Sequence, residues 1–171
     1  ERRLKGSAQS LVGETIELHL SAPSSGHQVI GIIRYVTYNA EADQPRISEL
    51  LDQLKQKMRS EPQRFPLSSS TVFRYQFNDG KPYAPAKPTA ITCQTSLFTS
   101  PTANDLKAVN PNGDCDALLE VSVNNGISRD HAKSITFTLN DNERVKANLM
   151  ADFTFVSDYV RALQDRTRGA H

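Results

Sequence analysis

A chain of 171 residues suffices for one domain with its own core, since a chain of this size buries about 70% of its unfolded surface. Apolar residues make up 37% and charged ones 23%, with a net charge of +1. That balance excludes a disordered polymer and gives no electrostatic case for nucleic acid, the clustered basic residues lying at the ends, at Arg2-Arg3-Leu4-Lys5 and at Arg161, Arg166 and Arg168. No apolar run approaches the roughly 20 residues that a transmembrane helix needs.

Residues 1–13 show no periodicity and read as a tail. The chain begins at Glu1 without an initiator methionine, which suits a lost leader or a piece of a longer protein. Ile16, Leu18 and Leu20 alternate with Glu17 and His19, the period-two pattern of a half-buried strand. Pro23-Ser24-Ser25-Gly26 ends it with turn chemistry. Val29 to Tyr38 is apolar or β-favouring on both faces, which predicts a central strand covered on two sides.

A helix follows. Pro45 suits its first turn, with Asp43 or Gln44 ahead of it, and Ile47, Leu50, Leu51, Leu54 and Met58 share one face. Pro62 and Pro66 stop it. Thr71, Phe73, Tyr75 and Phe77 then mark a strand with an aromatic face, closed by Asn78-Asp79-Gly80. The segment Lys81-Pro82-Tyr83-Ala84-Pro85-Ala86-Lys87-Pro88 is too proline-rich for a ladder. Its prolines recur every third residue, on one edge of a polyproline II helix, where Lys81, Tyr83 and Lys87 decorate a surface suited to a partner's aromatic groove. It also suits a stiff connector or a cover for a sheet edge.

Cys93 falls in an expected strand at 90–98, and Cys115 follows a long loop ending in the turn-formers Asn110-Pro111-Asn112-Gly113-Asp114. The chain has two cysteines, split between a strand and a turn, which is the pattern of a structural disulfide in an oxidising compartment. A zinc site would need further ligands. Beyond Cys115, Leu119, Val121 and Val123 alternate, Asn124-Asn125-Gly126 turns, and Ile135, Phe137 and Leu139 alternate on the way back. Asn140-Asp141-Asn142 offers a helix cap, after which Val145, Leu149, Phe153, Val156, Val160 and Leu163 form a continuous helical stripe.

Chemistry-bearing clusters are sparse. His19, His27, His131 and His171 show no metal-ligand spacing, and no glycine-rich phosphate cradle occurs. Ser128-Arg129-Asp130-His131 collects catalytic residue types in one strand connection, but triads are assembled across a fold and no nucleophile elbow is present. Asn110, Asn112, Asp114 and Asp116 suggest calcium, yet the glycine is misplaced and no glutamate closes the ring.

Residues 29–120 resemble bacterial secreted or envelope proteins. In those, a strand ending in aromatic residues leads to an amphipathic helix, a Lys-Tyr-Gly-x-Pro-like stop, another strand and a cysteine pair. Leu54-Lys55-Gln56-Lys57-Met58 through Glu61-Pro62, Phe73–Phe77, and Cys93 with Cys115 occupy comparable places, while the tyrosine–glycine part is missing. The resemblance implies a bacterial envelope context and no particular activity.

The expectation is a single α+β domain at 14–165 between tails 1–13 and 166–171. It has an antiparallel sheet of about five to six strands, two packed helices (about 45–60 and 143–165) and one disulfide-tied loop. The expected role is non-catalytic binding in an exported (periplasmic, secreted or surface) protein, without cofactor, metal or nucleic acid, with a protein partner at Lys81, Pro82, Tyr83, Pro85, Lys87 and Pro88. The alternatives are a hydrolase using Asp130 and His131, and an accessory domain cut from a larger secreted or surface protein.

Overall fold

The computed structural model describes residues 12–83 and 115–168. In chain order these form β1 (Val12–Leu20), β2 (Val29–Tyr38), α1 (Ile47–Met58), β3 (Gln63–Pro66), β4 (Ser70–Asn78) and β5 (Lys81–Tyr83). Then come β6 (Ala117–Asn125), β7 (Ala132–Asp141) and α2 (Asn142–Arg168). Seven antiparallel strands make one sheet in the order β1-β2-β7-β6-β4-β3. β5 joins β3 on the second edge of β4, opposite Gln76–Asn78. With its two helices this is the expected α+β class, with more strands than expected. Secondary structure also overruns the expected limits, since β1 begins at Val12 and α2 runs to Arg168.

Registers assign the faces. Directly opposed residues in a ladder share a side, so Phe73, Val121, Phe137, Arg34 and Ile16 form one row across the sheet, and Tyr75, Leu119, Leu139, Ile32 and Leu18 the next. α1 lies on this side. Its Ile47 and Leu54 are buried against Phe73, Tyr75, Leu119, Val121, Val123, Ala132 and Ile135, with Leu50, Leu51 and Met58 flanking them. Burying side chains of this size contributes about 1.5–3 kcal/mol each. On the opposite side Arg74 pairs with Glu120 at 2.7 Å and lies 4.8 Å over the Phe65 ring.

Several expectations are corrected. The helix begins at Ile47, two residues later than expected, without a side-chain cap from Asp43 or Gln44. The stretch between Pro62 and Pro66, expected only as a stop, contains the edge strand β3. Lys81–Tyr83 does enter a ladder. Asp79 and Gly80 both take positive φ (50° and 68°), the left-handed pair of a tight hairpin, and Pro82 sits opposite Phe77 on an edge strand, where its missing N–H is tolerated. β2 lies one strand from the edge, and only Gly31 and Val36 in it are buried.

The largest correction concerns α2. Asp141 caps it, its carboxylate accepting the Arg144 backbone N–H at 2.8 Å, and the helix runs 27 residues, to three beyond the expected end at about 165. Yet only Asn142, Val145 and Asn148 are buried in it. Phe153, Val156, Val160 and Leu163, expected in the core, face solvent. The helix docks by its first turns and then leaves the sheet.

Tyr75 yields a test. Its ring is in the core, but its hydroxyl is buried with no hydrogen-bond partner among the described residues. Burial, with a smaller push from Glu61, raises its pKa to about 12. An unsatisfied buried hydroxyl costs about 1–3 kcal/mol, so Tyr75→Phe should raise the melting temperature. Because the folded pKa lies above the unfolded value of 10.0, stability should hold below pH ~10 and fall as pH rises toward 12. Melts of Tyr75→Phe across that range should show a shallower alkaline decline; an unchanged profile would mean Tyr75 does not govern it.

Candidate interaction surface

The β6–β7 connection holds the residues nearest to a catalytic set. Ser128 Oγ donates to Asp130 Oδ1 at 2.8 Å and lies 2.7 Å from His131 Nδ1. The serine hydroxyl therefore stands between the carboxylate and the imidazole. A triad instead places the imidazole between carboxylate and serine, so that the ring can take the hydroxyl proton. The Ser128 bond, first among several causes, holds the Asp130 carboxyl below its ordinary range and keeps it an ionised acceptor.

The backbone here is committed to architecture. The Asp130 carbonyl accepts the Ile47 N–H at 2.8 Å, satisfying one of the unpaired donors at the start of α1. Pro45 accepts from Ala132 at 3.0 Å, and Arg46 bridges His131. Gln44 adds a contact that sequence periodicity does not reveal: its Oε1 accepts the Ile127 N–H at 2.7 Å while lying against Gly126. The cluster is a turn that seats the helix.

Other expected site residues are only partly covered. Cys93, Pro85, Lys87 and Pro88 lie outside the described residues, and the Cys93–Cys115 pairing falls outside them as well. Cys115 precedes β6, and its sulfur receives the Asn142 side-chain amide at 3.7 Å. Lys81 is exposed and Pro82 half-buried. Of the four oxygen side chains suggestive of calcium, only Asp116 is described; it accepts the Asp79 N–H, and its carbonyl accepts that of Glu143. Among the described residues, no three His, Cys, Asp or Glu side chains converge as a metal site requires, and no helix is long and apolar enough to cross a membrane.

What sequence reasoning missed is the bare half of the sheet. Across the row Leu18–Ile32–Leu139–Leu119, Leu18 is 57% exposed, Leu139 39% and Leu119 9%. Cover therefore ends near β7. Ile16, Leu18 and Leu20, expected to face inward, are exposed, while Thr15, Glu17 and His19 point to the more covered side. Arg34 stands in this apolar band, 5.5 Å over Phe137 and paired with Glu14 at 2.7 Å. The sequence expectation of two helices packed on the sheet hid this bare half, because among the described residues only α1 packs on the core cluster of this face and the stripe of α2 is exposed beyond its first turns. The second bare surface is the α2 stripe.

The Gln44 contact is testable. A Cβ on Gly126 would overlap the Gln44 carboxamide and displace it. Gly126→Ala and Gln44→Ala should each cost about 1 kcal/mol through the same lost hydrogen bond, and the double variant little more than either. Additive losses in denaturant titrations would show that the two positions act separately. In comparisons with known proteins, no protein-family model, no curated protein and no solved structure matches this chain.

Proposed function

We propose that this chain is a non-catalytic interaction domain of an exported protein, docking a protein partner on the uncovered half of its sheet. The observation that carries the reading is the apolar band of Ile16, Leu18 and Leu139 on the α1 side, left in water around the half-buried Ile32 although the core beneath α1 is closed. Contiguous apolar surface of this kind marks contact sites in soluble domains. Arg34 at its centre supplies a charged anchor within an apolar surround, a combination favoured in interface cores. The hydrolase alternative has local geometry against it, because the Ser128 hydroxyl donates to Asp130 and the loop backbone is engaged in seating α1.

Export rests on the cysteines. If Cys93 and Cys115 pair, closing the intervening loop contributes about 3 kcal/mol in the chain-entropy model. Mass spectrometry of non-reduced protein should find the linked peptides; two alkylatable thiols in the native chain would remove the argument for an oxidising compartment.

Binding is tested by Ile16→Lys combined with Leu18→Lys. Both positions are exposed, so stability should change by no more than about 0.5 kcal/mol each. Quantitative capture from the source organism's extract should retain a protein on the parent that the double variant loses, confirmed with the purified partner. Identical retention by parent and variant would sink the docking surface. Hydrolysis in an esterase, peptidase and glycosidase panel, abolished by His131→Ala, would replace this reading with the enzyme.

A further inference from the structure

α2 carries a second apolar surface with a different period. Its residues Leu149, Phe153, Val156, Val160 and Leu163 follow intervals of 4, 3, 4 and 3. Alternation of three and four is the 3.5-residue repeat of a coiled-coil seam, which stays aligned along a second helix. Leu149 is half-buried, but from Phe153 on the seam is free: Phe153 is 59% exposed and Leu163, two turns and more beyond it, 43%.

We propose that α2 pairs with α2 of a second copy of this chain, antiparallel, about an axis near Asp158. In that register Phe153 packs beside Leu163 of the second copy, and Val156 beside its Val160. The flanking positions then place Asp152 opposite Arg166, twice by symmetry, so opposite charges meet at both ends of the seam. A parallel pair would set Asp152 beside Ser157 and Tyr159 beside Gln164, with no such match.

The placement of the sheet favours the same direction. At about 100° per residue, Val145 and Asp152 point roughly 40° and 60° from the middle of the seam, and Asn148 roughly 100° from it on the same side. Val145 and Asn148 are buried, and the Asp152 carboxylate accepts from Ser24 and Ser25 in the β1–β2 turn. The sheet therefore crowds the start of the seam. Parallel helices would bring both sheets to that end, whereas antiparallel helices put one at each end, with the strand end at Asn142 some ~24 Å and the β1–β2 turn at Asp152 some ~9 Å of helix rise from the axis. This pairing is independent of partner docking on the sheet. Its seam is short and falls in the small class of specific interfaces, below about 1,200 Å², so the dimer should dissociate on dilution.

Sedimentation equilibrium of the full chain should show a mass rising from one chain to two with concentration. Val156→Asp combined with Val160→Asp should abolish that rise while leaving the thermal melt of the dilute, monomeric chain unchanged, because both positions are exposed. Arg166→Asp should weaken the dimer several-fold and reverse its salt dependence, since added salt would then screen a repulsion with Asp152. Direction is read by cross-linking: Val156→Cys chains mixed with tagged Val160→Cys chains should form the mixed disulfide, and neither variant alone should gain a dimer over the parent. A monomer at every concentration, or a dimer indifferent to Val156→Asp and Val160→Asp, would overturn the pairing. Homodisulfides of Val160→Cys alone would overturn its direction. None of these results depends on Ile16 or Leu18, so the docking reading stands or falls separately.

Discussion

The β6–β7 hairpin is the interaction that makes one sheet from two fragments. β2 pairs with β1 and β7, and β4 with β3, β5 and β6. Without the hairpin, the first half of the chain would leave an isolated two-stranded ribbon and a separate meander, both marginal in water. The joining contacts are distant in sequence, as Ile32 beside Leu139 illustrates, so their loop-closure entropy must be offset by burial. Val121 and Val123, fully buried in the central strand beneath α1, supply that burial. The hairpin connection also seats the helix, since Asp130 accepts its first N–H. Sheet closure and helix placement are thus set at one place.

Simple dimensions explain what remains uncovered. Six strands side by side at about 4.8 Å span roughly 24 Å, while a helix with its side chains covers about 10 Å. One helix therefore dries two or three strands. α1 sits over β4, β6 and part of β7, and beyond that cover Leu139 and the edge residue Leu18 are exposed while Ile32 between them is half-buried. A second helix of suitable length exists, but its buried residues end at Asn148 and its stripe continues without the sheet. Both bare surfaces follow from this division of labour between the helices.

Periodicity revealed most of the elements because it is a local property. The aromatic alternation of Phe73, Tyr75 and Phe77, the Leu119–Val123 and Ile135–Leu139 pair, and the Ile47–Met58 stripe all lie in elements of the expected type. β3 escaped because four residues between two prolines carry no measurable period. β5 was misjudged because a proline disqualifies a central strand and not an edge. The α2 stripe announced a helix, but amphipathicity states only that one face favours apolar company, not which chain provides it. Ile16, Leu18 and Leu20 illustrate the same limit: alternation fixes that they share a face, while cover depends on where a helix distant in sequence comes to lie. The turn at Ser128–His131 was legible as a turn; its bonds to Gln44, Pro45 and Ile47 were not, because they arise only once β7 is inserted beside β2.

The short contact between the β1–β2 turn and Asp152 has a mechanical consequence. α2 leaves β7 at Asn142 and is held again at Asp152, roughly 15 Å along its axis, whereas its last turn at Arg168 lies roughly 39 Å from the origin. The helix is a lever whose fulcrum is the end of the sheet and whose short arm ends at two serine hydroxyls. A displacement of the turn against Asp152 is magnified about two and a half times at the tip. Small rearrangements of Ser24 and Ser25 would therefore swing the far end of the helix while leaving every strand in register.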